Sequence, residues 1–473
     1  MNCILTVSTF LFPLITFPYV SRILLPIGTG SVAFATSIVS YFSMIAMMGV
    51  PTYGIRACAQ VRDDKEELTR TVQEILFINL IMTFIVYVLF AIALVIVPQF
   101  RQDRLLLIIC SFSILFNIIG IEWLYKALEQ YTYITVRSVL FKIISLILVF
   151  LLIHKQDDYI VYGAITVFAV VGSNILNLIN ARHYIDIKFV GNYNLKKHLK
   201  PIGIFFAMSA ATTIYTNLDT VMLGFFKDKE VVGLYSAAVR IKELLLGVVT
   251  SLGAVLLPRV SYYAEKGLQD KLVNIAGKAL NFVFMFACPL ILYFTLMAQD
   301  SILFLSGPAY IGSVLPMQII LITLLLIGIT NILGIQILVP LNKEKYVLYS
   351  ECIGAVINIT FNIMLIPHFA AAGAAAGTVL AELAVLIVQF IVLKNSICPL
   401  MSVISWRPIG GALAAAGIVL LLLSYLMVNM NPFIRLVITG LPFLGIYGVM
   451  LILLKEPLVL SLISPILKNR SKQ

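Results

Sequence analysis

The chain is poor in charge and in the residues that build metal, redox or nucleotide sites. Only 12% of its 473 residues are charged, and it has six cysteines, four histidines and two tryptophans. The cysteines are dispersed without a CxxC pair, the histidines are scattered, and no GxxxxGK[ST] run is present to hold nucleotide phosphates. The sequence therefore predicts no metal site, no cofactor and no direct drive by ATP.

Long hydrophilic stretches are also missing, since the longest predicted loops have only about twenty residues. A polymerase, ligase or glycosyltransferase working at one membrane face typically needs a large outer loop or an acidic pair in the first outer loop. The first predicted outer loop, LPIGTGS (25–31), contains no acid. We therefore expect a protein that is not an enzyme and has no catalytic residues.

What the chain has in abundance is apolar sequence, with 61% hydrophobic residues. A helix of about 20 apolar residues spans roughly 30 Å of hydrocarbon and satisfies its own backbone. This predicts an all-α polytopic membrane protein with about fourteen transmembrane helices, at 2–25, 32–54, 75–97, 105–124, 135–153, 159–181, 201–225, 231–257, 279–299, 314–341, 347–367, 372–393, 409–429 and 433–454.

The first segment, 2–25, lacks a basic leader and a small-residue cleavage site, so we expect a retained helix rather than a signal peptide. Pro13, Pro18 and Pro26 lie in or just after it. Prolines are common in membrane helices, where neighbours satisfy the freed carbonyls. The alternative is a bendable first helix that helps a cavity to open and close.

Basic residues are concentrated in alternate loops, as the positive-inside rule requires of cytoplasmic segments. The loops 300–313 and 367–372 have none. This pattern predicts a multi-pass protein of the bacterial cytoplasmic membrane with both termini inside, and it explains the net charge of +11 without nucleic acid. The basic loops and tail contain Arg56, Arg62, Lys65, Arg70, Arg182, Lys188, Lys196, Lys197, Lys200, Arg259, Lys266, Lys271, Lys278, Lys455, Lys468, Arg470 and Lys472.

A faint internal duplication relates SVAFATSI (31–38) to GLYSAAVRI (233–241), each after a helix and a short outer loop. Transporters are often built from two repeated bundles with the substrate site between them. We therefore predict six-helix lobes at 1–200 and 201–395, and an additional helix pair with a cytoplasmic tail at 396–473.

Charges inside the predicted helices are costly and usually face a partner or a wet cavity. Arg22 and Arg240 are candidates for a cavity, although Arg22 could also be an interfacial anchor. Lys242 and Glu243 are expected to pair locally, and Arg435, near an outer helix end, is expected to snorkel.

Four further polar residues are candidates for coupling or gating. Glu122 precedes Lys126 by four residues, a spacing that allows a structural ion pair. Asp219, beside Asn217, could take a proton or a sodium ion or pair with a cation from another helix. Glu382 is similarly isolated. Arginine forms bidentate contacts with phosphate oxygens, so the mixture of charges favours an anionic substrate, most simply a phosphate or pyrophosphate.

Several runs together resemble bacterial polysaccharide repeat-unit flippases of the polysaccharide transport family, within the multidrug/oligosaccharidyl-lipid/polysaccharide exporter superfamily. The resemblance extends from about residue 4 to 454. The runs are FPLITFPYVSR (12–22), VPTYGIRACAQVRDDKEEL (50–68), TNLDTVMLGFF (216–226), VGLYSAAVRI (232–241), LLPRVSYY (256–263), LVPLNKEK (338–345), NITFNIMLIP (358–367) and GAAAGTVLAE (373–382).

This resemblance implies translocation of an undecaprenyl-diphosphate-linked oligosaccharide to the outer face, for capsule, O-antigen or a related glycan. On matching positions it implies that Arg22, Arg56 and Arg259 hold the diphosphate. It also implies that Arg240 contacts sugar or phosphate and that Asp219 couples or gates. Expected partners are the lipid-linked oligosaccharide, membrane lipids, H⁺ or Na⁺, and a polysaccharide polymerase with other assembly proteins.

One departure from the family pattern is HFAAAG after Pro367, where Ala370 stands at a position that relatives often fill with glycine. An alternative function within the same superfamily is a cation-coupled multidrug exporter, which resistance assays would separate from a flippase.

Overall fold

The computed structural model describes residues 2–186, 188–427 and 430–461, with side chains left out at 2–11, 208, 252–258, 264, 269 and 395–398. Within these ranges the chain is all-helical, with no strand. It divides into two compact units, one ending at Ser236 and one beginning at Ala237. The predicted topology-setting residues Lys468, Arg470 and Lys472 lie outside the described residues.

The first unit is built around its long first helix, which packs against α3, α5, α7, α8 and α10. A 3₁₀ turn occupies Gln156–Asp158, and a π-helix at Phe168–Gly172 separates α8 from α9. The α-helices are α1 (Asn2–Met47), α2 (Val50–Gln60), α3 (Lys65–Ile96), α4 (Pro98–Gln102), α5 (Arg104–Ile119), α6 (Glu122–Ala127), α7 (Tyr131–Leu152), α8 (Tyr159–Val167), α9 (Asn174–Ala181), α10 (Lys196–Phe226) and α11, which begins in this unit (Lys229–Glu265).

The second unit packs α12 against α15, α17 and α18, and α16 against α14 and α15. It contains a 3₁₀ segment at Pro308–Ser313 and a π-helix at Ile332–Leu338. Its α-helices after α11 are α12 (Gln269–Leu296), α13 (Ala298–Leu305), α14 (Val314–Ile320), α15 (Thr323–Asn331), α16 (Glu344–Val392), α17 (Lys394–Ser402), α18 (Trp406–Leu426) and α19 (Pro432–Leu453).

Many large apolar side chains point outward, as expected of helices that face lipid. Phe84 on α3 is 73% exposed and Ile96 is 67% exposed. Among the described residues, nine helices are long and apolar enough to cross a membrane, or ten if the bent pair Pro308–Ile320 and Thr323–Leu338 forms one span. A multi-pass helical membrane protein is therefore confirmed, whereas the count of fourteen spans and the division near residue 200 stay predictions.

The first helix is broken at Leu25, where the backbone turns to φ 57° and ψ 177° just before Pro26. A proline disfavours the helical conformation in the residue before it and cannot donate a hydrogen bond to the preceding turn. By contrast, Pro13 and Pro18 lie within the helical run. The bend considered from the sequence is thus located at one residue.

The hairpin expected after Pro367 is formed by two legs of α16 that meet at Ala370, with φ 49° and ψ −126°. This region of backbone space is comfortable only for glycine. The departure from glycine at this position therefore places an alanine in a strained turn, which the packing of the two legs must hold.

Candidate functional site

Asp219 is a buried carboxylate near the end of α10, with its residue 7% exposed. Its Oδ2 accepts a hydrogen bond of 2.5 Å from the hydroxyl of Tyr235 on α11. Tyr41 on α1 donates from its hydroxyl to the carbonyl of Ile214, one turn and a half before Asp219, at 3.3 Å. Two tyrosines from neighbouring helices therefore lie along the stretch of α10 that holds this acid.

The polar neighbours of Asp219 in sequence are turned to their own helix. Asn217 donates from Nδ2 to the carbonyl of Thr213 at 3.1 Å and to the hydroxyl of Thr216 at 3.2 Å. These bonds satisfy the amide donors of Asn217 locally. The sequence did not single out Tyr235 on α11, whose hydroxyl contacts the carboxylate of Asp219.

Glu122 pairs with Lys126 at 2.9 Å, as its i,i+4 spacing predicts, and also with a residue that the sequence analysis missed. Arg137 on α7 places Nη2 3.2 Å from Oε2 of Glu122, and its own side chain is only 4% exposed. Its Nη1 donates to Ser173 Oγ at 2.7 Å and to Asn174 Oδ1 at 3.0 Å. This buried arginine therefore ties α6 and α7 to the end of the π-helix segment.

The predicted substrate-binding arginines of the first unit have exposed side chains. Arg22, on α1 three residues before the break, donates from Nη1 to the carbonyl of Pro18 at 2.5 Å. Arg56 lies on α2 and is exposed. Both arginines therefore present side chains at the surface of the first unit.

Arg240 and Arg259 both lie on the part of α11 that belongs to the second unit, and both are exposed. Arg240 Nη1 is 4.0 Å from Glu243 Oε2. Glu243 thus faces Arg240, since residues three apart share a face of the helix, and its expected pairing with Lys242 stays a prediction.

Glu382 is buried on the second leg of α16, with its residue 6% exposed, and the two legs also hold a buried polar seam of Ser350, Asn358, Asn362 and Gln389. Asn362 donates from Nδ2 to Asn358 Oδ1 at 3.1 Å, and Gln389 donates to Ser350 at 3.4 Å across the legs. A Cβ at Gly377 would overlap the side-chain oxygen of Asn362, so glycine is needed there for the legs to approach. The acid predicted from its isolation in sequence is thus buried in a helix pair that holds several other buried polar groups.

A second buried acid in the first unit was not anticipated. Glu74 on α3 is fully buried and its Oε2 lies 2.7 Å from His198 Nε2 and 2.8 Å from Lys197 Nζ. The other ring nitrogen of His198 is 2.6 Å from the hydroxyl of Tyr53. This network joins α2, α3 and the start of α10, and its partners are more than a hundred residues apart in sequence.

Arg435, expected to snorkel near an outer helix end, has a side chain that is 19% exposed, and its Nη1 is 3.0 Å from Asp300 Oδ2. Its Nη2 donates to the carbonyl of Ser424 at 2.8 Å. The pair neutralises two partly desolvated charges. The side chain therefore fastens α19 to α13.

No group of three or more histidine, cysteine or acidic side chains in the described ranges is placed to hold a metal ion. The cysteines Cys58, Cys110, Cys288 and Cys352 are free thiols, while the side chains of Cys3 and Cys398 fall outside the described set.

Residues 1–264, more than half of the chain, match the family described as polysaccharide biosynthesis protein. The chain belongs to this family. A relative named putative O-antigen transporter, from Escherichia coli K12, is 25% identical over 342 residues, which cover 72% of this chain and 82% of the relative. The resemblance to polysaccharide flippases of the exporter superfamily is thereby confirmed.

Two solved structures share the fold of this polysaccharide biosynthesis protein. The lipid II flippase MurJ, in an inward closed conformation, aligns with a TM-score of 0.65 and 18% identity over 94% of this chain and 97% of that one. A multidrug resistance transporter of the MATE family, in an inward-facing conformation, aligns with a TM-score of 0.64 and 16% identity over 84% of this chain and 96% of that one.

These relatives bear transporter and flippase names, which agrees with the prediction that the chain is not an enzyme. The family match also confirms a membrane transporter in polysaccharide biosynthesis. Because each of these two solved structures is less than one fifth identical to this chain in sequence, they show its fold alone.

Proposed function

We propose that this protein is a flippase that moves an undecaprenyl-diphosphate-linked oligosaccharide from the inner to the outer face of the bacterial cytoplasmic membrane by alternating access, for a capsule or O-antigen type of polysaccharide. The observation that carries the proposal is the family match over residues 1–264, extended by similarity to an O-antigen transporter over most of both chains. The fold shared with a lipid II flippase supports it.

In this proposal the diphosphate is held by Arg22, Arg56 and Arg259, while Arg240 contacts phosphate or sugar. Their exposed side chains support the assignment, because an anion can reach them from outside the packed core. Arginine suits the task because it stays charged when water is removed and grips phosphate oxygens with two parallel bonds.

Coupling or gating is assigned to Asp219, Asn217, Glu122 and Glu382. The buried Asp219–Tyr235 hydrogen bond and the burial of Glu382 support this role, since buried acids are costly in a membrane protein and usually mark a functional site. The Glu122–Arg137 pair supports gating, because such a pair can form in one conformation and open in another. The coupling ion would be H⁺ or Na⁺.

The finer architecture belongs to the same proposal: about fourteen spans in six-helix lobes at 1–200 and 201–395, an additional helix pair with its tail at 396–473, and both termini in the cytoplasm. The predicted partners are membrane lipids, the lipid-linked oligosaccharide, a polysaccharide polymerase and other assembly proteins. The fold likeness to a multidrug transporter keeps cation-coupled drug export as the second candidate.

The decisive experiment is deletion of the gene in the producing bacterium. We expect lipid-linked repeat units to accumulate on the cytoplasmic side and surface glycan to disappear, with restoration by the cloned chain. Unchanged outward display of repeat units in the deletion strain would refute the flippase. Raised drug sensitivity with normal surface glycan would instead favour the multidrug exporter.

The binding assignment has its own test in Arg22→Ala, with Arg22→Lys as the matched control that keeps the charge. We expect the alanine variant to reach the membrane in normal amount but to lose most export, and the lysine variant to retain part of it. Full export by the alanine variant would remove Arg22 from the binding site.

A further inference from the structure

A cavity of about 460 Å³ opens at one end of the first unit, where three chain segments that the charge pattern predicts to be outside come together. Its wall includes Gln99 and Gln102 from α4, Phe225 from the end of α10, and Asp228, Lys229 and Glu230 from the turn into α11. Segments far apart in sequence thus converge on one small space, as they do at ligand sites.

The chemistry of this wall suits hydroxyl groups better than a fully charged ligand. Two primary amides can each donate and accept, and the carboxylates of Asp228 and Glu230 accept only. The wall also contains the exposed Lys227 and the partly buried Lys229, so two cations face two carboxylates and neither sign dominates. Phe225, 38% exposed, supplies an apolar ring face of the kind that packs against the C–H face of a sugar ring.

The wall is held in place by contacts beneath it. Lys229 places Nζ 3.1 Å from the centroid of the Phe34 ring and 3.7 Å from Asp103 Oδ2. A Cβ at Gly30 would overlap the carbonyl oxygen of Lys229, and one at Gly233 would overlap that of Pro26. The turn between α10 and α11 therefore sits directly on α1, and the cavity is formed before any ligand arrives.

Lys229 belongs to the layer beneath the wall and not to its open surface, because its Nζ atom is buried against the Phe34 ring and beside Asp103. The side chains that a ligand can reach are the glutamine amides, Phe225, and the exposed charged groups of Lys227, Asp228 and Glu230.

We propose that this cavity binds a saccharide unit of the translocated oligosaccharide on the outer side of the membrane, with Gln99 and Gln102 bonding its hydroxyls and Phe225 lying against its ring. The inference rests on the proposed function, which supplies a sugar at this face. Asp228 also caps α11 by accepting from the backbone N–H of Val231 at 3.0 Å, so it shapes the wall as well.

The test uses the purified full-length chain in detergent and, as the probe, the free oligosaccharide released by mild acid from the producing bacterium's own lipid-linked pool. Isothermal titration measures its affinity for the wild type, for Gln99→Ala/Gln102→Ala, and for the matched control Gln156→Ala. Gln156 is exposed in another predicted outer loop and does not line the cavity. Gln102→Ala alone, at an exposed side chain, is the second variant if the double variant unfolds.

We expect saturable binding by the wild type and by Gln156→Ala, and an affinity about tenfold or more weaker in the double variant, as the loss of two hydrogen bonds predicts. No binding by the wild type, or equal affinity in the double variant, would overturn the saccharide site. Complementation of the deletion strain separates the two proposals: a wild type that restores surface glycan without binding refutes only this site, whereas one that fails to restore it refutes the flippase.

Discussion

The hydroxyl of Tyr235 donates a 2.5 Å hydrogen bond to the carboxylate of Asp219, and the two side chains are buried on consecutive helices of one unit. A hydrogen bond to a charged group contributes about 1.5–3 kcal/mol. The geometry therefore makes Tyr235 a positioning residue for the acid assigned to coupling.

Replacing Tyr235 with phenylalanine removes this bond and keeps the ring. We expect export to fall by about tenfold or more, in keeping with the strength of the bond. Surface glycan in whole cells, compared at equal amounts of membrane-inserted protein, measures the loss.

Tyr87→Phe is the matched control for that substitution, because the Tyr87 hydroxyl bonds a backbone carbonyl, that of Ser111, at 2.8 Å. It should leave export unchanged. If both variants lose export equally, the role assigned to Tyr235 is wrong.

The buried guanidinium of Arg137 predicts a large loss of stability when it is removed. Arg137→Met leaves Glu122 with one cation and deprives Ser173 and Asn174 of their donor, which should cost about 2 kcal/mol or more. The thermal-unfolding midpoint of the purified protein should drop clearly.

Arg101→Met provides the comparison, since Arg101 is exposed and bonds only the carbonyl of Val95. Its midpoint should stay within a degree or so of wild type, as surface changes usually do. A similar loss in both variants would mean that the buried network adds little.

Ala370 predicts a substitution that stabilises the protein. Glycine adopts φ 49° and ψ −126° without strain, so Ala370→Gly should gain about 1 kcal/mol. Ala372→Gly, two residues later in the helical leg, should lose about 0.5–1 kcal/mol. Thermal unfolding compares the two, and the same sign of change in both would contradict the strained turn.

The contact between α1 and the α10–α11 turn predicts that a single methyl group disrupts it. Gly30→Ala overlaps the carbonyl of Lys229, so the two segments must separate and the unfolding midpoint should fall. Gly203→Ala on α10 meets nothing within 4 Å and should be neutral or stabilising. Equal tolerance of both substitutions would show that the segments are not in close contact.

Local patterns carried the sequence-based predictions that the structure confirms. The Glu122–Lys126 pair followed from i,i+4 spacing, and apolar runs of about twenty residues located helices. The sequence did not predict the contacts of Arg137, because its partners Ser173 and Asn174 lie 36 and 37 residues further on, beyond any local spacing rule. The Glu74–His198 pair, 124 residues apart, was not predicted for the same reason.

The sequence also pointed to Asp219 and Glu382 by their isolation, but not to what surrounds them. Tyr235 and the seam residue Gln389 look like ordinary helix residues until neighbouring helices are placed. Whether a buried acid meets a tyrosine, an amide or a cation depends on how helices pack, which periodicity along one helix does not encode.

The broken helix at Leu25 has a mechanical consequence. Holding a leucine at φ 57° and ψ 177° costs about 1–3 kcal/mol of conformational free energy, so contacts elsewhere in the protein must offset this cost. Contacts that offset this cost are the close approaches of α1 to the α10–α11 turn at Gly30, five residues after Leu25, and at Gly233 on α11. We therefore expect the break to store conformational strain. When the α10–α11 turn moves away from α1, Leu25 adopts ordinary backbone angles, and the free energy released favours separation of the two segments.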